Sequence, residues 1–295
     1  MASILVTGAT GLLGSSLVPA LRAAGHVVHS HGHSHAAEQQ ADLGDWRQTA
    51  AMLDRTRPDC IVNLAALTNV DLCESEPQQA YRLNTLPVAH LARWMRDNSA
   101  GGVPACHLVQ ISTDMVYDSA GPHAEGDVRV ANTYAFSKLA AEHAAAGVSS
   151  TVLRTNFFGR SRRAGRVSFS DWLVQGMREG RAMTVFDDVL FTPLAIDTLC
   201  ALLAQVVQAR PAGVYNLGAR DGMSKADFAY LLAAALDLPT AGLQRGRSAD
   251  APALRARRPT DMRTDSSLFE HTMGLRLPTL AEQIQSLRSD YLEPA

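Results

Sequence analysis

Much that would mark a specialised chain is missing from these 295 residues. Four cysteines, Cys60, Cys73, Cys106 and Cys200, stand far apart with no paired spacing, which excludes a disulfide framework and predicts reduced thiols. Charge of one sign is missing too. The 27 Lys and Arg against 29 Asp and Glu give a net charge of −2, leaving no basic footprint for nucleic acid or an anionic membrane. No apolar run approaches a membrane span, and Ile4-Leu5-Val6 is too short for a signal-peptide core. Neither HExxH nor CxxC occurs. A soluble cytoplasmic protein of roughly two domains, or of one domain with an elaborated second lobe, is the expectation.

One composition is unusual. "HVVHSHGHSH" at positions 26–35 holds five of the ten histidines, and alternation puts His31, His33 and His35 on one face of an extended segment. Imidazole is a common metal ligand. A metal site usually needs a second ligand cluster, however, and none accompanies this one, so no metal is predicted.

The first half alternates short apolar runs with helical patterns. Strands are predicted at 4–7, 27–30, 60–64, 107–111 and 151–154, and helices at 12–24, 46–55, 78–97 and 134–146. That alternation means βαβ units: an α/β fold with a doubly wound parallel sheet, the Rossmann arrangement. Beyond about 155 the rhythm loosens. Helices are expected at 169–179, 196–208, 225–236 and 280–291, strands at 183–186 and 214–217, and an exposed loop at 240–259. The expected organisation is a dinucleotide-binding domain at 1–155 and a smaller mixed α/β substrate lobe at 156–295, some of whose segments return to the first.

Two stretches carry chemistry. "ILVTGATGLLG" is a strand entering a glycine turn and then a helix. Gly8, Gly11 and Gly14 allow a tight turn and close approach of backbone to a pyrophosphate at the helix N-terminus. A plain strand-to-helix turn is the alternative. "YAFSK" sets Tyr134 and Lys138 one turn apart on one helix face, where the ammonium would lower the phenol's pKa and make it a usable proton donor. A solvated helix face is the alternative there. Upstream, "VQISTDMVYD" is a strand whose end presents Ser112 and Thr113 at the ligand-facing edge of such a sheet.

TGATGLLG, Asp42-Leu43, "VNLAALTNVDLCESEP", "ISTDMVYD", "YAFSKLAAE", "LRTN" and "RPTDMRTDSSL" occur in order along nearly the whole chain. That succession resembles the extended short-chain dehydrogenase/reductases, and within them the dTDP-4-dehydrorhamnose reductase group. The resemblance implies NAD(P)H-dependent reduction of a 4-keto-6-deoxy nucleotide-sugar, with NADPH as cofactor and NADH open. Gly8, Thr10, Gly11, Leu12 and Gly14 would cradle the pyrophosphate, while Asp42 and Leu43 would contact the adenine. Asn63, Ala65 and Ala66 would line the cofactor ribose. Tyr134 would be the catalytic acid, Lys138 its activator and ribose anchor, and Thr113 the third member. Asn156, Phe157 and Arg258 would meet the substrate, with Arg257 and Arg263 as further diphosphate partners. Asn84 matches a largely structural helix asparagine. A homodimer is left open.

Departures from the family pattern fall around the sugar. Met115 replaces an aromatic, Asn156-Phe157-Phe158-Gly159 replaces Trp-Val-Tyr-Gly, and Val189-Leu190-Phe191-Thr192-Pro193 replaces Gly-x-Pro-Thr. The histidines fall about 20 residues past the glycines, where the adenosine ribose should lie. Ser30 and His31 are therefore read as ribose lining, with no carboxylate at 30–35 to grip a 2′-hydroxyl and with imidazoles that would favour a 2′-phosphate as pH falls. Two other readings stay open: an epimerase or dehydratase of the same superfamily, and a non-catalytic NADP-binding regulatory subunit such as the methionine adenosyltransferase β subunit, which resembles this family.

Overall fold

The computed structural model describes residues 1–33, 37–99, 106–250 and 255–292. In chain order the elements are β1 (Ser3–Thr7), α1 (Gly14–Ala23), β2 (Val27–Gly32), β3 (Gln39–Gln40), α2 (Trp46–Thr56), β4 (Cys60–Asn63), α3 (Val70–Ser75) and α4 (Pro77–Ala80). A π-helical turn (Tyr81–Thr85) leads into α5 (Leu86–Ser99), β5 (His107–Thr113), a 3-10 turn (Asp114–Val116), α6 (Thr133–Ala145), β6 (Ser150–Thr155) and β7 (Phe157–Phe158). There follow α7 (Phe169–Arg178), β8 (Met183–Phe186), β9 (Leu190–Phe191), β10 (Leu194–Ala195), α8 (Ile196–Ala209), β11 (Gly213–Leu217), β12 (Met223–Ser224) and α9 (Lys225–Ala235). The chain closes with β13 (Leu243–Gly246), β14 (Asp261–Met262), α10 (Ser267–Met273), α11 (Leu280–Ser286) and α12 (Arg288–Leu292).

Seven strands form one sheet in the order β11-β6-β5-β4-β1-β2-β3, every pair parallel. A parallel sheet needs both faces covered, and its strands are buried accordingly: β4, β5 and β6 are buried at every residue. Alternation divides the side chains between the two faces. Ile4, Val6 and Val109 meet Leu17 and Leu21 of α1 and Leu199 and Leu203 of α8. Leu5, Ile61 and Leu108 meet Met52 of α2, Leu91 of α5 and Ala141 of α6. The α/β doubly wound parallel sheet predicted above is the observed architecture.

The predicted 78–97 helix is continuous from Pro77 to Ser99 but contains a π-helical turn. Pro87 has no N–H for the carbonyl one turn before it, and the turn widens over Tyr81–Thr85. Asn84 in that turn bonds Leu67 N at 2.6 Å, Leu67 O at 3.1 Å and Ser137 Oγ at 2.8 Å. The last predicted helix divides into α11 and α12.

Short pairings build the second lobe: β12-β9-β14, β8 with β13, and β7 with β10. Phe158, Phe169, Phe191 and Phe228 pack there with ring centroids 4.9 to 6.1 Å apart. The 240–259 stretch, expected as loop, carries β13 and a 3-10 turn (Ser248–Asp250). Among the described residues no helix is long and apolar enough to cross a membrane.

Gly8 is held at φ +63°, and a Cβ there would stand 2.8 Å from Ala65 N. A Gly8→Ala exchange is expected to lower stability by about 1–3 kcal/mol, through strain and a forced separation of β1 from the turn after β4. Urea denaturation at neutral pH checks this. An unchanged midpoint would show that the two backbones can separate freely.

Candidate active site

The strand order reverses at β1 and β4: β1 leads outward to β2 and β3, and the chain then crosses to β4, β5, β6 and β11. Ligands of open α/β sheets bind in the crevice above that reversal, at the carboxyl ends of the strands. Here the crevice is a cleft of about 670 Å³. Gly8, Gly11, Leu12 and Gly14 line it after β1, Leu64, Ala66 and Thr68 after β4, Thr113 and Asp114 after β5, and Asn156 and Phe157 after β6. Tyr134 and Lys138 enter from α6, while Arg166, Lys225 and Arg258 enter from the second lobe.

The glycines do different work. Gly14 admits the turn against the helix start, since a Cβ there would be 2.6 Å from Gly8 O. The turn thereby presents backbone N–H groups and the α1 N-terminus to the cleft, an arrangement that suits a phosphate. A buried lysine stands opposite across the same cleft. The residues present therefore fit a dinucleotide.

Asn132 caps α6, accepting from Ala135 N at 2.8 Å, and its Nδ2 donates to Arg257 O at 2.9 Å. The helix so fixed buries Tyr134 and Lys138. Burial pushes the Tyr134 phenol above its ordinary value, and a hydrogen bond with Thr113 works against that rise. The depression expected from Lys138 is not what the structure shows. Lys138 Nζ donates instead to Ile111 O at 2.7 Å, and burial draws the ammonium down to about 8 against the opposing pull of Glu142. Ser112 turns its hydroxyl away onto Glu142, so Thr113 is the strand-end hydroxyl beside Tyr134.

On the substrate side, Asn156 Nδ2 donates to Asp114 Oδ2 at 2.9 Å and Asn156 Oδ1 accepts from Phe157 N at 2.8 Å. Arg258 lines the cleft and pairs with Asp71 at 3.0 Å. Arg257 pairs with Asp118 and Arg263 with Asp261, and neither lines the cleft. Sequence reasoning missed Arg166, Lys225 and Asp114. Lys225 is the first residue of the helix that Ser224 caps, and it lines the cleft from there.

Several residues expected to contact the cofactor do not line this cleft. Asn63 is buried between strands, accepting from Thr7 Oγ1 at 2.5 Å and donating to Gln110 at 2.7 Å. Leu43 is in the core under α2, and Asp42 pairs with Arg82 at 2.5 Å. Ala65 sets its backbone against Gly8, while Thr10 packs against Gly32. His31 points inward to Ala41 O at 3.0 Å, and burial lowers its pKa. The expected imidazolium of His31 toward a phosphate is thus corrected, because the buried ring favours the neutral form. Residues 34–36 of the histidine stretch, His35 included, lie outside the described residues. A carboxylate does reach this point from further along: Glu38 accepts from Ser30 N at 3.3 Å and pairs with Arg22.

Along residues 1–292 the chain matches the family described as RmlD substrate binding domain. The chain belongs to that family. A probable low-salt glycan biosynthesis reductase of Haloferax volcanii is 30% identical over 97% of this chain and 98% of its own length. A dTDP-4-dehydrorhamnose reductase of Sinorhizobium fredii is 32% identical over 83% and 85%. A dTDP-4-dehydrorhamnose reductase of Bacillus anthracis, solved in complex with NADP, superposes with a TM-score of 0.85 at 20% identity, covering 97% and 98%.

Asp114 supplies a test of the cleft's electrostatics. Burial raises its carboxyl to about 6, opposed by the Asn156 hydrogen bond and by Lys225. The folded chain then holds a proton between the ordinary value of 3.8 and about 6 that the unfolded chain has lost, so stability falls as pH climbs through that window. Asp114→Asn removes the effect. The variant should match the parent near pH 4 and exceed it at pH 7.5 by on the order of 2 kcal/mol in urea unfolding. If Asp114→Asn proved less stable than the parent at pH 7.5, Lys225 would fully compensate the charge.

Proposed function

We propose that the chain is an NAD(P)H-dependent reductase of a nucleotide-sugar carbonyl, its substrate a dTDP-linked 4-keto-6-deoxy sugar and its preferred cofactor NADPH. The observation that carries this reading is the convergence of Thr113, Tyr134 and Lys138 on one wall of a cleft whose other wall is the glycine turn. Reduced nicotinamide supplies a hydride to the carbonyl carbon when bound. The carbonyl oxygen then takes the Tyr134 proton, giving the alcohol, while Thr113 hydrogen-bonds that oxygen. Lys138, near its ionisation midpoint at neutral to mildly alkaline pH, holds the ribose and supports the phenol as it loses its proton.

The second lobe supports a charged nucleotide on the substrate. Arg166, Lys225 and Arg258 put three cations along the cleft beside Ser248, and guanidinium forks suit a diphosphate. Asn156 and Phe157 would face the sugar. A dehydratase of this superfamily is expected to carry an Asp-Glu pair after its active-site threonine. Asp114-Met115 stands here, which favours the reductase.

Turnover with a panel of keto-sugar nucleotides and NADPH is the deciding measurement. Oxidation of NADPH by a dTDP-4-keto-6-deoxy sugar, with formation of the alcohol, is the expected result. Cofactor binding with no turnover across the panel would return the chain to the non-catalytic regulatory reading. Tyr134→Phe should lower turnover by about 10²–10⁴-fold and leave NADPH affinity within about twofold, because only the proton donor is lost. Thr113→Val should cost about 10²-fold, the loss of one donor to the developing oxyanion. Near-parental turnover in Tyr134→Phe would remove the phenol from the mechanism.

A further inference from the structure

Glu142 lies one turn beyond Lys138 on α6 and is buried. Its carboxylate accepts from Ser112 Oγ on β5 and from Arg154 on β6, with Nε at 3.1 and 3.2 Å and Nη2 at 2.7 Å. Arg154 also donates from Nη1 to Tyr117 OH at 2.9 Å and to Glu125 O at 2.6 Å. Neither Glu142 nor Arg154 lines the cleft, so neither meets cofactor or substrate there. A buried ion pair is weak evidence of stability, because desolvating both charges offsets their attraction. The pair is better explained by what stands beside it.

We infer that Glu142 is a positioning residue for Lys138: its carboxylate, fixed by Ser112 and Arg154 one turn along the same buried helix, keeps the lysine in the ammonium form that donates to Ile111 O. This rests on the reading of Lys138 as the lysine that meets the cofactor ribose.

The surrounding groups leave that role to Glu142. On α6 itself, Lys138 is flanked by Tyr134 and Glu142. From the packed elements come Ser112 and Thr113 of β5, Asp114 of the 3-10 turn, Cys73 of α3, Arg154 of β6, and Asn84 and Thr85 of the π turn. Burial raises both the Tyr134 phenol and the Cys73 thiol, which keeps them neutral. Asp114 is turned to Asn156 and acts on Lys225. Arg154 binds the same carboxylate and so limits its pull on the lysine. Glu74 of α3 is turned to Thr133 N and Asp71 to Arg258, which leaves Glu142, among the described residues, as the carboxylate opposing the desolvation of Lys138. The direction follows: removing its charge leaves desolvation unopposed, and the ammonium loses its proton at lower pH.

Binding of NADPH, followed by its fluorescence between about pH 6 and 9.5, reads the lysine without any sugar substrate. In the parent chain, affinity should hold at low pH and weaken as pH rises through about 8, where the ammonium is lost. Lys138→Met should lack that limb. Glu142→Gln should move the limb down by about one pH unit or more, while Glu142→Asp, which keeps the charge, should leave it near its parental place. Because the single Gln exchange strands a buried guanidinium, the paired Glu142→Gln, Arg154→Met variant is measured beside it. That pair removes both charges together and should move the limb down by less than the single exchange does, because the guanidinium that opposed the carboxylate goes with it. A limb that stays in place in the folded pair overturns the inference, as does a shift in Glu142→Asp equal to that of Gln. A limb that survives in Lys138→Met instead refutes the assignment of the lysine itself, and with it the cofactor-side reading.

Discussion

The close approach of two backbones, at Gly8 and Ala65, is the constraint around which this molecule is arranged. β1 and β4 are neighbours in the sheet, yet the chain leaves them for opposite sides. The gap above them therefore has to be bounded by main chain, with no side chain between. That geometry opens the cleft, sets the α1 N-terminus against it, and fixes where the ends of β5 and β6 can contribute. The three residues proposed for catalysis then arrive at the same rim. Thr113 comes at the end of its own strand, and Tyr134 and Lys138 arrive on a helix that packs against it.

The fold was legible because a buried parallel sheet writes itself as short apolar runs between amphipathic helices. Strand and helix boundaries in the first half differ from the predicted ones by a residue or two. The π turn at Tyr81–Thr85 was less visible. Pro87 signalled it, but the widened turn is stabilised by Asn84 reaching Leu67 and Ser137, contacts 17 and 53 residues away along the chain. Short strands in the second lobe are two or four residues long and carry no usable period.

Residues of the site were legible where chemistry imposes spacing. Tyr134 and Lys138 must share a helix face, and glycines must sit where a Cβ cannot. Residues that act through three-dimensional neighbours were not legible. Lys225 reaches the cleft from a different lobe, Glu38 folds back eight residues to meet Ser30, and the His31 ring turns inward to Ala41 O. Asn63 and Leu43 lie next to the cleft in sequence terms and are turned away from it by the two-residue period of strands and by core packing.

The seventh strand comes from the second half of the chain. β11 pairs with β6 along five residues, so a chain cut near 155 would expose β6 as a bare edge. Bare, flat, apolar edges recruit other chains. During synthesis the sheet cannot close until residue 217 has left the ribosome, and for that interval a nascent chain already able to form six strands carries an adhesive flank. The two halves are consequently not exchangeable modules. Swapping the substrate lobe for that of a relative would exchange the sheet's own border as well, and any chimera would have to bring a strand that fits β6.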